Sequence, residues 1–295
     1  MRKKAFGLLL MLLCLSVFAL CAGAATVGTD SDGDGVYELS TAEQIKELAD
    51  LVAADDPARA GKYILTEDID MSSISEQIPI GTASAAFTGS FDGAGHTVSG
   101  ISLTGSATSD RFGFFGRIAG ATISNLTVEG TVSTSGYAGG LVGLVAGAST
   151  IQNCVNLCDV TGGALGTGGL VGYASANVAL EACVNAGTVQ GARYVGGLIG
   201  QSAKEAVPAV KRSLNTGAVK ATSQSRGNAD LGGIIGLTYT LSVTDCVNLG
   251  EIIASNASAK QSVGGIVGRA AYSAASEISN CFNGGAITAA AAGYT

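Results

Sequence analysis

The chain has no tryptophan, one histidine and three prolines in 295 residues, and only 13% of it is charged. Each shortage excludes something. With His96 as the lone imidazole, a His-Glu-x-x-His zinc site, a Ser-His-Asp triad and a Cys-His pair cannot be built from these residues. His96 itself has no evident partner and lies in the turn-and-strand stretch from Phe91 to Val98, which points to a structural role. The Gly61-Lys62 pair lacks the upstream glycine and the following Ser or Thr of a phosphate loop. Low charge combined with 47% hydrophobic residues is the opposite of a disordered composition. Beyond the first residues, no apolar run is long enough to span a membrane.

The amino terminus indicates export. Arg2, Lys3 and Lys4 precede an apolar run from Phe6 to Leu20, and Ala22-Gly23-Ala24 supplies a small-x-small cleavage pattern, so residues 1–24 read as a signal peptide. Cys21 does not make a lipobox, because Leu20 stands where Gly or Ala is wanted. Removing the three basic residues of the leader leaves 13 basic against 23 acidic side chains, a net charge of −10. Nucleic acid and anionic lipid are poor partners for such a chain.

What the sequence has in abundance is glycine, 44 residues, arranged in a repeat. Gly139-Gly140-Leu141-Val142-Gly143 recurs at Gly168–Gly172, Gly196–Gly200, Gly232–Gly236 and Gly264–Gly268, with a degenerate first copy at Phe112–Gly116. The starts are spaced by 27, 29, 28, 36 and 32 residues. A second block follows each run, led by Ile151, Leu180, Val210, Val243 and Ile278 and closed by Asn156, Asn185, Asn215, Asn248 and Asn283. A third strand is centred on Val160, Val189, Val219, Ile252 and Ile287. Three short strands per repeat, with no segment of helical period, predict an all-β, right-handed parallel β-helix with a triangular coil. Equivalent residues of successive coils would then lie about 4.8 Å apart. The five asparagines would stack at a bend, where side-chain amides can bond along the axis as a ladder.

Cys154, Cys183, Cys246 and Cys281 share one repeat position, with Ser213 and Leu126 in the other copies. Leu126 points the column inward, and in-register stacking sets Cβ atoms further apart than a disulfide prefers, although export leaves Cys154–Cys183 and Cys246–Cys281 bridges open. Cys158 replaces a turn glycine (Gly187, Gly217, Gly250 and Gly285 in the later copies) and is expected to be exposed. The apolar row and the cysteine column are three residues apart, so a bend must break the alternation between them.

Before the repeats the texture changes. Residues 25–39 read as an Asp/Gly-rich linker, 40–111 as a cap with the first irregular coils, and 112–295 as regular coils. Ser40-Thr41-Ala42-Glu43 reads as a capping box, followed by Ile45, Leu48, Ala49 and Val52 at helical spacing, which predicts a capping helix over about Thr41 to Ala54. Asp30, Asp32 and Asp34 have the oxygen-rich spacing of a calcium loop, but Thr41 stands at position twelve where Glu is wanted. The linker is the plainer reading and calcium the alternative. Glu67, Asp68 and Asp70 form a second acidic group, read as a strand end.

The ordered series Ala42–Ile45, Tyr63–Leu65, Asp68–Asp70, Pro79–Gly81, Phe91–Val98 and Phe114–Gly116 resembles the amino-terminal region of bacterial GLUG-motif proteins. The Gly-Gly-Leu-Val-Gly copies resemble the GLUG repeat itself. The resemblance covers about residues 37 to 295. It implies a β-helical stalk or display surface, as in adhesin-like chains and the non-catalytic region of some immunoglobulin A metalloproteases, and it implies no defined ligand.

The expected function is therefore a non-enzymatic, extracellular, adhesin-like module without a required cofactor, whose partners are a host or cell-surface protein or glycan. The alternatives are the non-catalytic region of a larger secreted enzyme, or a carbohydrate-active β-helix enzyme. The latter needs converging carboxylates, whereas Glu129, Asp159, Glu181, Asp245 and Glu251, and the bases Arg193, Lys211 and Arg212, are scattered over the repeat. Tyr137, Tyr194 and Tyr294 share a position that could form a stacking row, interrupted by Gly166 and Asp230. Gly293-Tyr294-Thr295 looks like the start of another repeat, which raises the expectation of further domains beyond residue 295.

Overall fold

The computed structural model describes residues 27–163, 165–222, 229–254, 261–271 and 276–289. The signal-peptide reading and Tyr294 fall outside them. The chain winds into a parallel β-solenoid of about eight turns, with one α-helix near its amino terminus. A nine-stranded parallel sheet runs the length of the molecule, from Val36–Leu39 to Glu277–Ser279. It carries the apolar row: Ile123, Ile151, Leu180, Val210 and Val243 are in register and fully buried. Val36–Leu39, within the segment read as a linker, is the first strand of this sheet and pairs with Lys62–Leu65.

A thirteen-stranded sheet holds two stacks joined by the long strand Thr127–Thr134. One is the asparagine stack, Val155–Asn156 to Phe282–Asn283, and the other is the third-strand stack, Asp159–Gly162 to Ile287–Ala289. The bend required between the apolar row and the cysteine column is a single left-handed residue. Asn125, Asn153, Ala182, Arg212, Asp245 and Asn280 all take φ between 47° and 55°. That conformation turns the chain within one residue, so that Cys154, Cys183 and Cys246 also point inward and are fully buried.

The doublet runs differ from expectation. Each is divided into two strands, such as Tyr137–Gly139 and Val142–Gly147, which belong to two separate six-stranded sheets. The coil therefore has five short strands rather than three. The physical reason lies in the doublet at the corner. A Cβ on Gly140, Gly169, Gly197 or Gly233 would strike the amide of Asn156, Asn185, Asn215 or Asn248, and in each case also the carbonyl of the next coil's glycine. Glycine and asparagine, some sixteen residues apart in sequence, thus define one packing unit.

Near the amino terminus, helix α1 (Ala42–Ala53) packs into the core of the first coils, burying Ile45, Leu48, Ala49 and Val52. Its capping box is one residue later than the sequence suggested: Thr41 is the N-cap and Gln44, not Glu43, completes the box. Gln44 Oε1 accepts the amides of both Ser40 and Thr41, which fixes the register. Beneath the helix an aromatic plug fills the first coils. Tyr37, Tyr63, Phe87 and Phe115 follow one another at 5.4–6.1 Å, and Phe91 and Phe114 pack edge-on against Phe115. Such offset and edge-to-face pairs are the favoured aromatic geometries.

Candidate functional site

The asparagine stack is a continuous hydrogen-bonded ladder. Asn156 Nδ2 donates to Asn185 Oδ1 at 2.8 Å, Asn185 to Asn215 at 2.8 Å, Asn215 to Asn248 at 2.7 Å and Asn248 to Asn283 at 2.7 Å. Each amide also donates to the carbonyl two residues on, from Cys158 to Gly285. The first four asparagines are fully buried. From Asn156 to Asn248 every side-chain amide proton and carbonyl is thereby engaged within the wall, which makes the stack a structural element.

Among the described residues the cysteines are free thiols. The Cys154 thiol is pushed well above its ordinary value, first by the Cys183 thiol beside it and then by burial. Cys158 requires a correction: it is fully buried rather than exposed, and burial, with Glu129 and Asp159 nearby, pushes its thiol up to about 12. The coil beneath it passes as the unbroken strand Thr127–Thr134 instead of a turn. The stacked turns that bar a Cβ at Gly187, where it would strike the Cys158 carbonyl, begin only at Cys158 itself. A thiol so hidden and so protonated is a poor nucleophile.

Asp30, Asp32 and Asp34 each place a carboxylate oxygen within 4.8 Å of the other two, the one such trio among the described residues. Asp30 accepts the amides of Gly33 at 2.8 Å and Gly35 at 3.2 Å, and Asp34 accepts that of Val36 at 2.8 Å. Thr29 and Glu38 bridge the base of the loop. Backbone amides thus shape this turn directly. Asp68 and Asp70 act in the same way: Asp68 accepts the Thr97 amide at 2.9 Å and faces His96 Nδ1 at 3.2 Å, and Asp70 accepts the Ser72 amide. These bonds hold both carboxyls below the usual range.

The scattered acidic groups do not converge. Instead, four of the five tie one coil to the next. Asp159 accepts the Thr188 amide, Glu181 pairs with Arg212, Asp245 accepts from Asn280 and Glu251 from Thr288.

One face does gather side chains of mixed chemistry. On one doublet sheet, Arg111, Tyr137, Gly166, Tyr194, Asp230 and Ser262 form a column. On its companion sheet, Arg117, Leu144, Tyr173, Gln201, Leu237 and Arg269 form another. The columns meet across a seam, where Tyr137, Gly166 and Asp230 each face the companion residue one coil later, Tyr173, Gln201 and Arg269. Tyr137 and Tyr173 stack at 4.5 Å with 12° between their planes. Buried Asp230 lies 2.9 Å from Arg269. Desolvation raises the Asp230 carboxyl, against the lowering influence of Arg269, Ser262 and Arg193. The guanidinium of Arg111 lies 4.7 Å over the Tyr137 ring, and that of Arg193 lies 4.9 Å over Tyr194. Sequence reasoning found Tyr137 and Tyr194 but missed Tyr173 and Arg111, and read Arg193 only as one of the scattered bases. The available signal was variability: Leu, Tyr, Gln, Leu and Arg occupy one position just after the otherwise constant glycine of each run.

No family model matches the chain. Among curated proteins, it is similar to halomucin of Haloquadratum walsbyi, with 36% identity over 181 residues, covering 54% of this chain. The match takes in only 2% of halomucin's own length. Among solved structures, it resembles a candidate immunoglobulin A1 protease from Bacteroides ovatus, at a TM-score of 0.55 and 21% identity, over 89% of this chain and 86% of that one. At that identity the likeness is one of fold, and the fold that the two share is the solenoid.

Proposed function

We propose that this chain is an extracellular, non-enzymatic solenoid module that carries a binding surface, in the manner of an adhesin-like stalk. The observation that supports it best is the use made of the carboxylates. In a hydrolytic or lyase groove, two or more would face one cleft; here Asp159, Glu181, Asp245 and Glu251 each hold a neighbouring coil instead. The similarity to halomucin, a mucin by name, agrees with a surface or secreted setting. The leader-like residues Arg2 to Ala24 point the same way. A ladder-locked wall of this kind keeps its shape without a cofactor, which suits presentation of a surface at a distance.

The test is accessibility in the producing cell. Intact cells are labelled with a membrane-impermeant amine reagent, and the culture medium is assayed in parallel. The chain is expected in the medium or fully labelled on whole cells. Labelling that appears only after lysis would overturn the proposal.

A further inference from the structure

We propose that the seam between the two doublet sheets binds an extended acidic polysaccharide, with Arg111 and Arg193 taking its carboxylates. This rests on the display reading above and names its ligand class. Three observations carry it. First, charge is placed against the trend of the molecule. The chain as a whole carries −7, yet this face presents two guanidiniums that form no ion pair among the described residues. The neighbouring carboxylates are engaged elsewhere: Asp230 is buried against Arg269, and Asp110 accepts from the Ala107 amide and Thr134.

Second, both guanidiniums are braced. Each lies flat over a tyrosine ring, Arg111 on Tyr137 and Arg193 on Tyr194. Arg111 is held further by Nη1, which donates to the carbonyls of Ser109 and Asp110, so its Nε–Nη2 edge and the fork of Arg193 are the donors left to take a carboxylate bidentately with little further ordering. Arg193 is exposed. Half-buried Tyr137, Tyr173 and Tyr194 add apolar edges and hydroxyls beside the forks, the mixed apolar and polar character that a sugar ring requires.

Third, the spacing is linear. Arg111 and Tyr194 stand three coils apart in one column, roughly 14 Å at about 4.8 Å per coil. Between the two tyrosines of that column, buried Gly166 is covered by Gln201 of the companion sheet. The coil repeat is close to the advance of one pyranose in an extended chain, so a short oligosaccharide carrying acids at intervals can follow the seam. Nucleic acid would need a denser row of cations. A protein partner would need a contact surface of about 800 Å² per side, broader than a single line of half-buried side chains.

The whole chain is titrated with fluorescent oligogalacturonate and, in parallel, with neutral glucan oligomers of the same length. Oligogalacturonate is expected to bind, more weakly as salt rises, and the neutral glucan is not. Arg193→Gln alone and Arg111→Gln with Arg193→Gln should weaken binding, at least tenfold for the pair, with the melting temperature unchanged. Failure of oligogalacturonate to bind at millimolar concentration, equal binding of the neutral chain, or binding indifferent to both variants would overturn the proposal. The same variants are scored for surface labelling on cells. Normal labelling without glycan binding refutes the seam alone, whereas a wild-type chain absent from surface and medium refutes the display reading.

Discussion

Replacing Asn215 by alanine removes the middle rung of the ladder. Asn215 accepts from Asn185, donates to Asn248 and donates to the Gly217 carbonyl. Alanine thus leaves three polar groups without partners, and Asn185, Asn215 and Asn248 are all fully buried. Orphaning a buried donor or acceptor costs about 1–3 kcal/mol each, so the loss is roughly 3–6 kcal/mol once partial relaxation is allowed. Asn283→Ala is the internal comparison. It deprives Asn248 of one acceptor and Gly285 of one donor, but Asn283 is only half-buried and water can replace both bonds, giving about 1 kcal/mol. Urea unfolding measures the two losses. Because stacked coils can open locally, amide exchange at Gly217 and its neighbours is followed as well, and it should accelerate only in Asn215→Ala. Equal losses for the two variants would refute the view that the buried ladder holds this wall together.

Three further outcomes are expected. Ala182→Asn should raise stability by roughly 0.5–1 kcal/mol by urea titration, since Ala182 sits at φ 53° where asparagine is tolerated and alanine is strained; a loss would show that the bend is not strained. Asp230→Asn should flatten the pH profile of thermal unfolding. The folded-state carboxyl is raised, so the folded chain binds the proton more tightly and wild-type stability falls as pH climbs from about 4 through that raised value. The variant should therefore be at least as stable as wild type at pH 7 and lose this advantage towards pH 4, and a pH-independent difference would contradict the assignment. Calcium should leave the unfolding midpoint unchanged, because backbone amides already shape the Asp30–Gly35 turn; a rise abolished by Asp30→Asn would make the turn a cation site.

The stacking axis and the columns were legible because a solenoid repeats its constraints. Ile151, Leu180, Val210 and Val243 meet the same interior in each coil, and the periodicity in sequence is that of the wall itself. What escaped was whatever depends on two distant columns at once. The second glycine of each doublet is dictated by an asparagine about sixteen residues later, and without that contact the run reads as one strand instead of a corner between two. Cys158 was misplaced for a similar reason: its burial follows from the unbroken strand beneath it, not from its own coil. The capping box slipped by one because both Ser40 with Glu43 and Thr41 with Gln44 satisfy the local pattern, and only the geometry of the Gln44 carbonyl decides between them. The seam was half visible. Two tyrosines repeat, but Tyr173 and Arg193 reach it from other repeat positions, and Arg111 shares the tyrosine column only in the degenerate first copy.

The claim that this chain holds without cutting is tested most directly by incubating the purified protein with cell envelopes of its own organism, and measuring both retention and release. Retention of the protein with no soluble saccharide or peptide beyond the protein-free control is the predicted result. Steady release of fragments that depends on the chain would contradict it, and would mean that the carboxylates placed here as ties between coils perform chemistry after all.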